Sequence, residues 1–314
     1  DWRLEVKDSS GKVVLSDTQT STKRFQASWD GRDSLGLFLP DGTYTWTLAI
    51  EDPVTGASLQ PITGVTEFDS GIVPSGTVIS ADTVWSKANG PYVIEGPITV
   101  AQGATLTIEA GTVIQFKRGA RLDVYGALIA EGRDGEVIRF TSREASPAKG
   151  DWGGIYLRGS VASNSRLSYS ILEYSDDGFY IRDASPSFTQ VTVRESHVGF
   201  YVSGNASPHF DQVTVTGNTY GFLLHSGASP RITDSRVFLN QYGFYLKAGA
   251  NTSIPNPISS RLSIYANRIF NVYLDGGGQN HSSTPLDLSG TWWGTMDTRA
   301  IDRLTQAGYV YIGM

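Results

Sequence analysis

Residues 178–186 read Gly178-Phe179-Tyr180-Ile181-Arg182-Asp183-Ala184-Ser185-Pro186, and both ends of that phrase return further down the chain. Ala206-Ser207-Pro208 and Ala228-Ser229-Pro230 repeat its end at intervals of 22 residues. Gly199-Phe200-Tyr201, Gly221-Phe222-Leu223 and Gly243-Phe244-Tyr245 repeat its beginning. A fixed period of this size marks a solenoid, in which each unit buries its apolar side only against its neighbours. Short alternating strands punctuated by Gly, Asn, Ser and Pro make the unit a β coil, not a pair of helices.

Alternation within the phrase assigns the faces. Phe179 and Ile181 point one way, Tyr180 and Arg182 the other. Phe200/Val202, Phe222/Leu224, Phe244/Leu246 and Val272/Leu274 repeat the inward pair. Stacked about 4.8 Å apart, they predict an aromatic column beside an aliphatic one. A second recurring strand carries Val191/Val193, Val213/Val215 and Ser235/Val237. Ser175, Ser196, Asn218, Asn240 and Asn267 form a polar column at a turn, where such side chains bond to one another and to backbone.

Composition agrees with a turn-rich β protein. Of 314 residues 35 are Gly, and charged residues make up 18% against about 25% in ordinary domains. The net charge of −6 and the lack of a basic run argue against nucleic acid, and no apolar stretch is long enough to span a membrane. There is no cysteine, so disulfides and thiolate chemistry are excluded. The chain begins at Asp1 without initiator Met or signal peptide, which predicts a piece processed or excerpted from something longer.

Residues 1–69 do not share the repeat. Trp2-Leu4-Val6, Val13-Val14-Leu15, Phe25-Ala27-Trp29, Tyr44-Trp46-Leu48-Ile50 and Ser58–Phe68 read as antiparallel strands of a small sandwich. The phrases DSSGKVV, WDGRDSLG and LPDGTYTW resemble the Ig-like domain of flagellar hook-capping proteins. Asp30 and Asp33 sit in a turn with too few oxygen ligands for a calcium loop. An Ig-like fold uses about seven strands and only about five are legible, so the sandwich is expected to be incomplete, with an open edge.

Further on, ITVAQGATLTIEAGTVIQF, IRFTS and GDWGGIYL resemble the opening of secreted right-handed parallel β-helix proteins of the pectate-lyase-like kind. The expected fold is therefore all-β: an Ig-like sandwich over 1–69, a junction and N-terminal cap over 70–92, a β-helix over 93–290 and a C-terminal cap over 291–314. The cap is expected to use Trp292-Trp293, a short helix from Asp297 or Thr298 to about Leu304, and a last strand in Tyr309–Met314. NTSIPNPISS (251–260) and DGGGQNHSSTP (275–285) read as polar loops.

The resemblance specifies fold and leaves function open, since such domains occur in lyases, hydrolases, adhesins and passive stalks alike. The adjacent acidic pair Asp176-Asp177, with Asp183 and Glu195 as possible neighbours, reads as a solvated turn. Nothing matches the Asn-Thr-Asp, Asp-Asp and Arg-Ile-Lys phrases of polygalacturonases. His197, His209, His225 and His281 fall in different registers, which disfavours copper capture, and Thr is too sparse for an ice-binding face. No catalytic residue, metal ligand or cofactor is assigned.

The outward column Tyr180, Tyr201, Leu223, Tyr245 and Tyr273, flanked by Arg182, Ser203, His225, Lys247 and Asp275, is the candidate glycan platform. The plainer reading is that Tyr suits a half-exposed strand. The expected function is a non-catalytic structural or adhesive protein, secreted or on the surface of a bacterium or archaeon, with polysaccharide as partner. The alternatives are a polysaccharide lyase or glycoside hydrolase, and a fibre subunit joined through the open Ig-like edge with Tyr309-Val310-Tyr311-Ile312 as donor strand.

Overall fold

A computed structural model describes residues 1–19, 29, 33–34, 39, 42–52, 55–68, 71–225, 227–247, 258–275, 286–287, 291–293 and 310–311. The chain divides into two units, Asp1–Gly71 and Ile72–Met314. The first contains a four-stranded antiparallel sheet built from β1 (Trp2–Lys7), β2 (Val13–Gln19), β3 (Gly42–Ile50) and β4 (Ile62–Phe68), in the order β2-β1-β3-β4. This agrees with an Ig-like part. Val6, Val14 and Tyr44 are its buried centre, with Leu15, Trp29, Leu39 and Trp46 packed on them. Phe25, Ala27 and Asp30 lie outside the described residues.

The second unit is a parallel β-helix of about eight coils, each of about 22 residues. Three parallel sheets run its length. Sheet A begins at Gly71–Val73 and ends at Ser263–Tyr265. Sheet B runs from Val78–Ile79 to Phe270–Asp275, and sheet C from Thr83–Trp85 to Ile258–Ser260. Strands within segment 70–92 thus pair with the following coil: Thr83–Trp85 lies beside Leu106–Ile108, and Val78–Ile79 beside Thr99–Val100.

The inward columns stand where alternation puts them. Phe179, Phe200, Phe222 and Phe244 are buried in sheet B and stack with centroid spacings of 5.5, 5.1 and 4.8 Å. Sheet C adds a second stack, Phe188 over Phe210 at 5.1 Å, and these rings meet the first edge-on. The repeat Gly is explained by coil spacing. A Cβ on Gly199 would fall 2.5 Å from the Gly221 carbonyl oxygen, and one on Gly221 the same distance from that of Gly243. Only hydrogen fits. Between sheets C and A the chain turns through one left-handed residue per coil: Gln190, Gln212, Asp234 and Arg261, with φ between 50° and 55°.

The polar column is a buried ladder. The backbone amide of Ser196 donates to Asn218 Oδ1 (2.9 Å), that of Asn218 to Asn240 Oδ1 (2.9 Å), and that of Asn240 to Asn267 Oδ1 (3.0 Å). Asn218, Asn240 and Asn267 also donate Nδ2 to the carbonyls of Val193, Val215 and Val237. Each of these asparagines therefore closes the corner of the coil before it, at both an amide and a carbonyl. At the far end Trp292 exchanges backbone bonds with Leu262 and Ile264, and Trp293 is buried in the core. Val310–Tyr311 pairs in parallel with Leu286–Asp287 of the same chain. The helix expected around Asp297–Leu304 and most of both polar loops lie outside the described residues.

On the outside of sheet A, buried Glu173 ties three coils together. Its carboxylate accepts from Arg139 (2.8 Å), Thr141 (2.9 Å) and Arg194 (2.7 Å). Burial pushes this carboxyl up, but the two guanidinium groups outweigh burial and hold it below the ordinary Glu range. A depressed folded pKa means stability that is present above the unfolded value and lost as pH falls through the folded one. The thermal stability of the wild type should therefore fall as pH drops through the acidic carboxylate range. Glu173→Gln should lose part of that dependence and about 1–3 kcal/mol at neutral pH; a variant with wild-type stability and an unchanged pH profile would refute the assignment.

Phe200 touches Phe179, Phe188, Phe210 and Phe222. In denaturant titrations Phe200→Ala should cost about 3–5 kcal/mol, well above the loss from Tyr201→Ala next to it, which faces outward. Equal losses would contradict the facing of sheet B.

Candidate functional site

The outer face of sheet B gathers the residues singled out by sequence, and adds others. Strand pairing aligns Tyr156, Tyr180, Tyr201, Leu223, Tyr245 and Tyr273 in one column. Tyr180 and Tyr201 stack at 4.6 Å and 19°, and His225 closes on Tyr201 at 4.8 Å. At that spacing and tilt the rings cover one another's faces and turn edges and hydroxyls to solvent. Sugar stacking on a flat platform of ring faces is therefore not the contact this stretch offers.

Leu223 is buried and splits the column into two groups. Beyond it Tyr245 and Tyr273 approach to 4.9 Å, joined by Tyr220, Tyr242 and Phe270. Tyr245 stands nearly perpendicular to Tyr220 and Tyr242, with Lys247 Nζ 5.9 Å from its centroid. Burial raises the Tyr245 phenol, and its hydrogen bond to Asp275 raises it further. Burial, then the charge of Lys247, lowers the His225 imidazole, so it is neutral at pH 7.

The first group carries two arginines, each beside a carboxylate. The Arg158 guanidinium lies 4.8 Å from the Tyr156 ring and 5.3 Å from that of Tyr180, with Asp123 at 3.2 Å. Arg182, one coil on from Arg158, is largely exposed and sits 3.6 Å from Asp183. Arg158, Gly159, Tyr180, Arg182 and Asp183 line an open depression. Sequence reading missed Tyr156 and Arg158, although Ile155-Tyr156-Leu157-Arg158 copies the pattern of Phe179-Tyr180-Ile181-Arg182.

The acidic turn is less bare than expected. Tyr156 donates its hydroxyl to Asp177 (3.0 Å), and Asp176 contacts His197 Nδ1 at 2.8 Å. The expected neighbours lie elsewhere: Asp183 accepts from the Asn205 amide, and Glu195 lies 3.9 Å from Lys149. Burial and then the adjacent Asp176 charge raise the Asp177 carboxyl against the pull of the Tyr156 bond. Burial first, then Asp177, raises the Tyr156 phenol. The loop 143–151 runs alongside. Asp151 anchors it through Arg118 (3.2 Å), Ser142 (2.8 Å) and the Ala148 amide (2.9 Å), and Lys149 reaches the Gly217 carbonyl. No group of three or more metal-ligating side chains occurs among the described residues, and His281 lies outside them.

No curated protein and no solved structure matches the chain. Two segments do match known families: residues 76–185 match the pectate-lyase like beta helix domain, and residues 1–52 match the FlgD Ig-like domain.

Proposed function

We propose that this chain is a non-catalytic structural or adhesive protein, secreted or displayed at a cell surface, that holds polysaccharide along the outer face of sheet B. The observation that carries the reading is the depression lined by Arg158, Tyr180, Arg182 and Asp183. Strand pairing sets the two arginines side by side on adjacent coils next to Tyr180, with Asp123 against Arg158 and Asp183 against Arg182, so donors and acceptors are gathered before a ligand arrives. Recognition then runs through hydrogen bonds to sugar hydroxyls or carboxylates, with Tyr180 and Tyr201 supplying ring edges and hydroxyls and not faces. The second group, Tyr245, Tyr273 and Lys247, extends the same face toward the later coils. Beta-helix domains of the matched kind are typically extracellular, and no helix among the described residues is long and apolar enough to cross a membrane.

The alternative, a lyase or hydrolase, draws on one observation: the paired contacts Tyr156–Asp177 and Asp176–His197 put titratable groups from three coils at one corner. Both readings are separated by one set of measurements on the purified chain. Binding to a panel of acidic and neutral polysaccharides should fall at least about tenfold in Arg182→Ala and in the triple change of Tyr180, Tyr201 and Tyr245 to Ser, with far-UV spectra unchanged. Reducing-end and unsaturated-product assays on the same polymers should show no turnover. Binding that survives both variants sinks the adhesive reading; turnover abolished by Asp177→Asn or His197→Ala would establish the enzyme.

A further inference from the structure

The depression lined by Arg158, Tyr180, Arg182 and Asp183 is rich in guanidinium, yet both of its arginines have a carboxylate beside them. Asp123 lies 3.2 Å from Arg158 and 2.8 Å from Arg121, and its side chain is only 7% exposed. Asp183 lies 3.6 Å from Arg182, and Asp177 takes the hydroxyl of Tyr156, the ring against which Arg158 packs. Arg121, Arg158 and Arg182 are thus matched by Asp123, Asp177 and Asp183, charge for charge. The next coil sets Ser203, an uncharged hydroxyl, beside Arg182.

A groove made for a polyanion gathers unpaired cations, whose summed field draws the charged chain in. Here that field is cancelled at its source. To grip a sugar carboxylate, Arg158 would have to leave Asp123, a buried carboxylate that it helps to neutralise. Arg182 is more open, but an anion bonded to it comes close to Asp183. A hydroxyl meets neither obstacle. It donates to a carboxylate and accepts from a guanidinium, so one Arg–Asp pair satisfies both of its roles.

We propose that the polysaccharide held on sheet B is neutral, a hydroxyl-rich chain without uronate or sulfate groups. The inference rests on the polysaccharide reading above and narrows it. Discrimination comes from the carboxylates, which repel an acidic chain while the same donors stay open to a neutral one. Asp123 and Asp183 are therefore specificity-determining groups as well as partners of arginine.

The test sets acidic polymers against their own neutral derivatives. Pectate and alginate, the same two polymers with carboxyls reduced to primary alcohols, and a β-glucan are titrated with the purified chain at low ionic strength. At least one neutral polymer should bind, and at least about tenfold more tightly than either uronate polymer. Added salt should change that neutral affinity by less than about twofold. Asp183→Asn keeps an oxygen for the Asn205 amide, removes the charge beside Arg182, and should narrow the gap roughly 2- to 5-fold. A uronate polymer that binds as tightly as any neutral one overturns the inference and leaves polysaccharide binding in place. A gap unchanged in Asp183→Asn overturns it too. If no polymer binds, or if Arg182→Ala leaves the affinity untouched, the polysaccharide reading itself fails and neutral selection falls with it.

Discussion

A corner amide that can find its partner only in the next coil is the constraint on which the solenoid rests. The Ser175–Ser196–Asn218–Asn240–Asn267 column lies inside the corner between sheets A and B, where water cannot reach. The backbone amides of Ser175, Ser196, Asn218 and Asn240 would each be an unsatisfied buried donor without the side-chain oxygen of the following coil, at about 1–3 kcal/mol apiece. The ladder therefore fixes register as well as stability: a coil slipped by one residue would lose its corner bonds and turn its Phe outward. Tight stacking in turn demands glycine at 199 and 221, where the carbonyl of the next coil leaves no room for a methyl.

This explains why the regular coils were legible. Gly, Phe and Ser or Asn recur because each is sterically or electrostatically required at one place per coil, so the repeat in the sequence is the repeat of those requirements. The second aromatic stack escaped notice because strands such as Ser187–Thr189 and His209–Asp211 carry one inward side chain each, too few to show alternation. The single-residue corners at Gln190, Gln212 and Asp234 carry no glycine or asparagine to announce a left-handed backbone. Trp152, stacked on Phe116 at 3.9 Å, stands in a coil whose long loop 143–151 disturbs the period.

The candidate site was half legible for the same reason. Tyr180, Tyr201 and Arg182 belong to the regular repeat, and their outward facing follows from period 2. Tyr156 and Arg158 sit after the irregular loop, so their kinship with Tyr180 and Arg182 shows only once the strands are laid side by side. How the rings present themselves, edges out in the first group and crossed in the second, depends on rotamers that no pattern of letters encodes. The contacts of Asp176 with His197 and of Asp177 with Tyr156 likewise arise between coils, from residues about 21 positions apart. The family match ends at residue 185, so Tyr201, His225, Tyr245 and Lys247 lie on coils that carry the repeat beyond the matched segment.

The ladder can be tested by a pair of variants that differ in one oxygen. Asn240→Ala removes the acceptor for the Asn218 amide and the donor to the Val215 carbonyl, whereas Asn240→Ser keeps a side-chain oxygen of the kind Ser196 offers Ser175. Equilibrium unfolding combined with amide hydrogen exchange should show Asn240→Ala less stable than Asn240→Ser by about 1–3 kcal/mol. The Asn218 amide should lose protection in the alanine variant first. Equal stability of the two variants, with the Asn218 amide equally protected in both, would contradict the claim that each coil is closed by its neighbour.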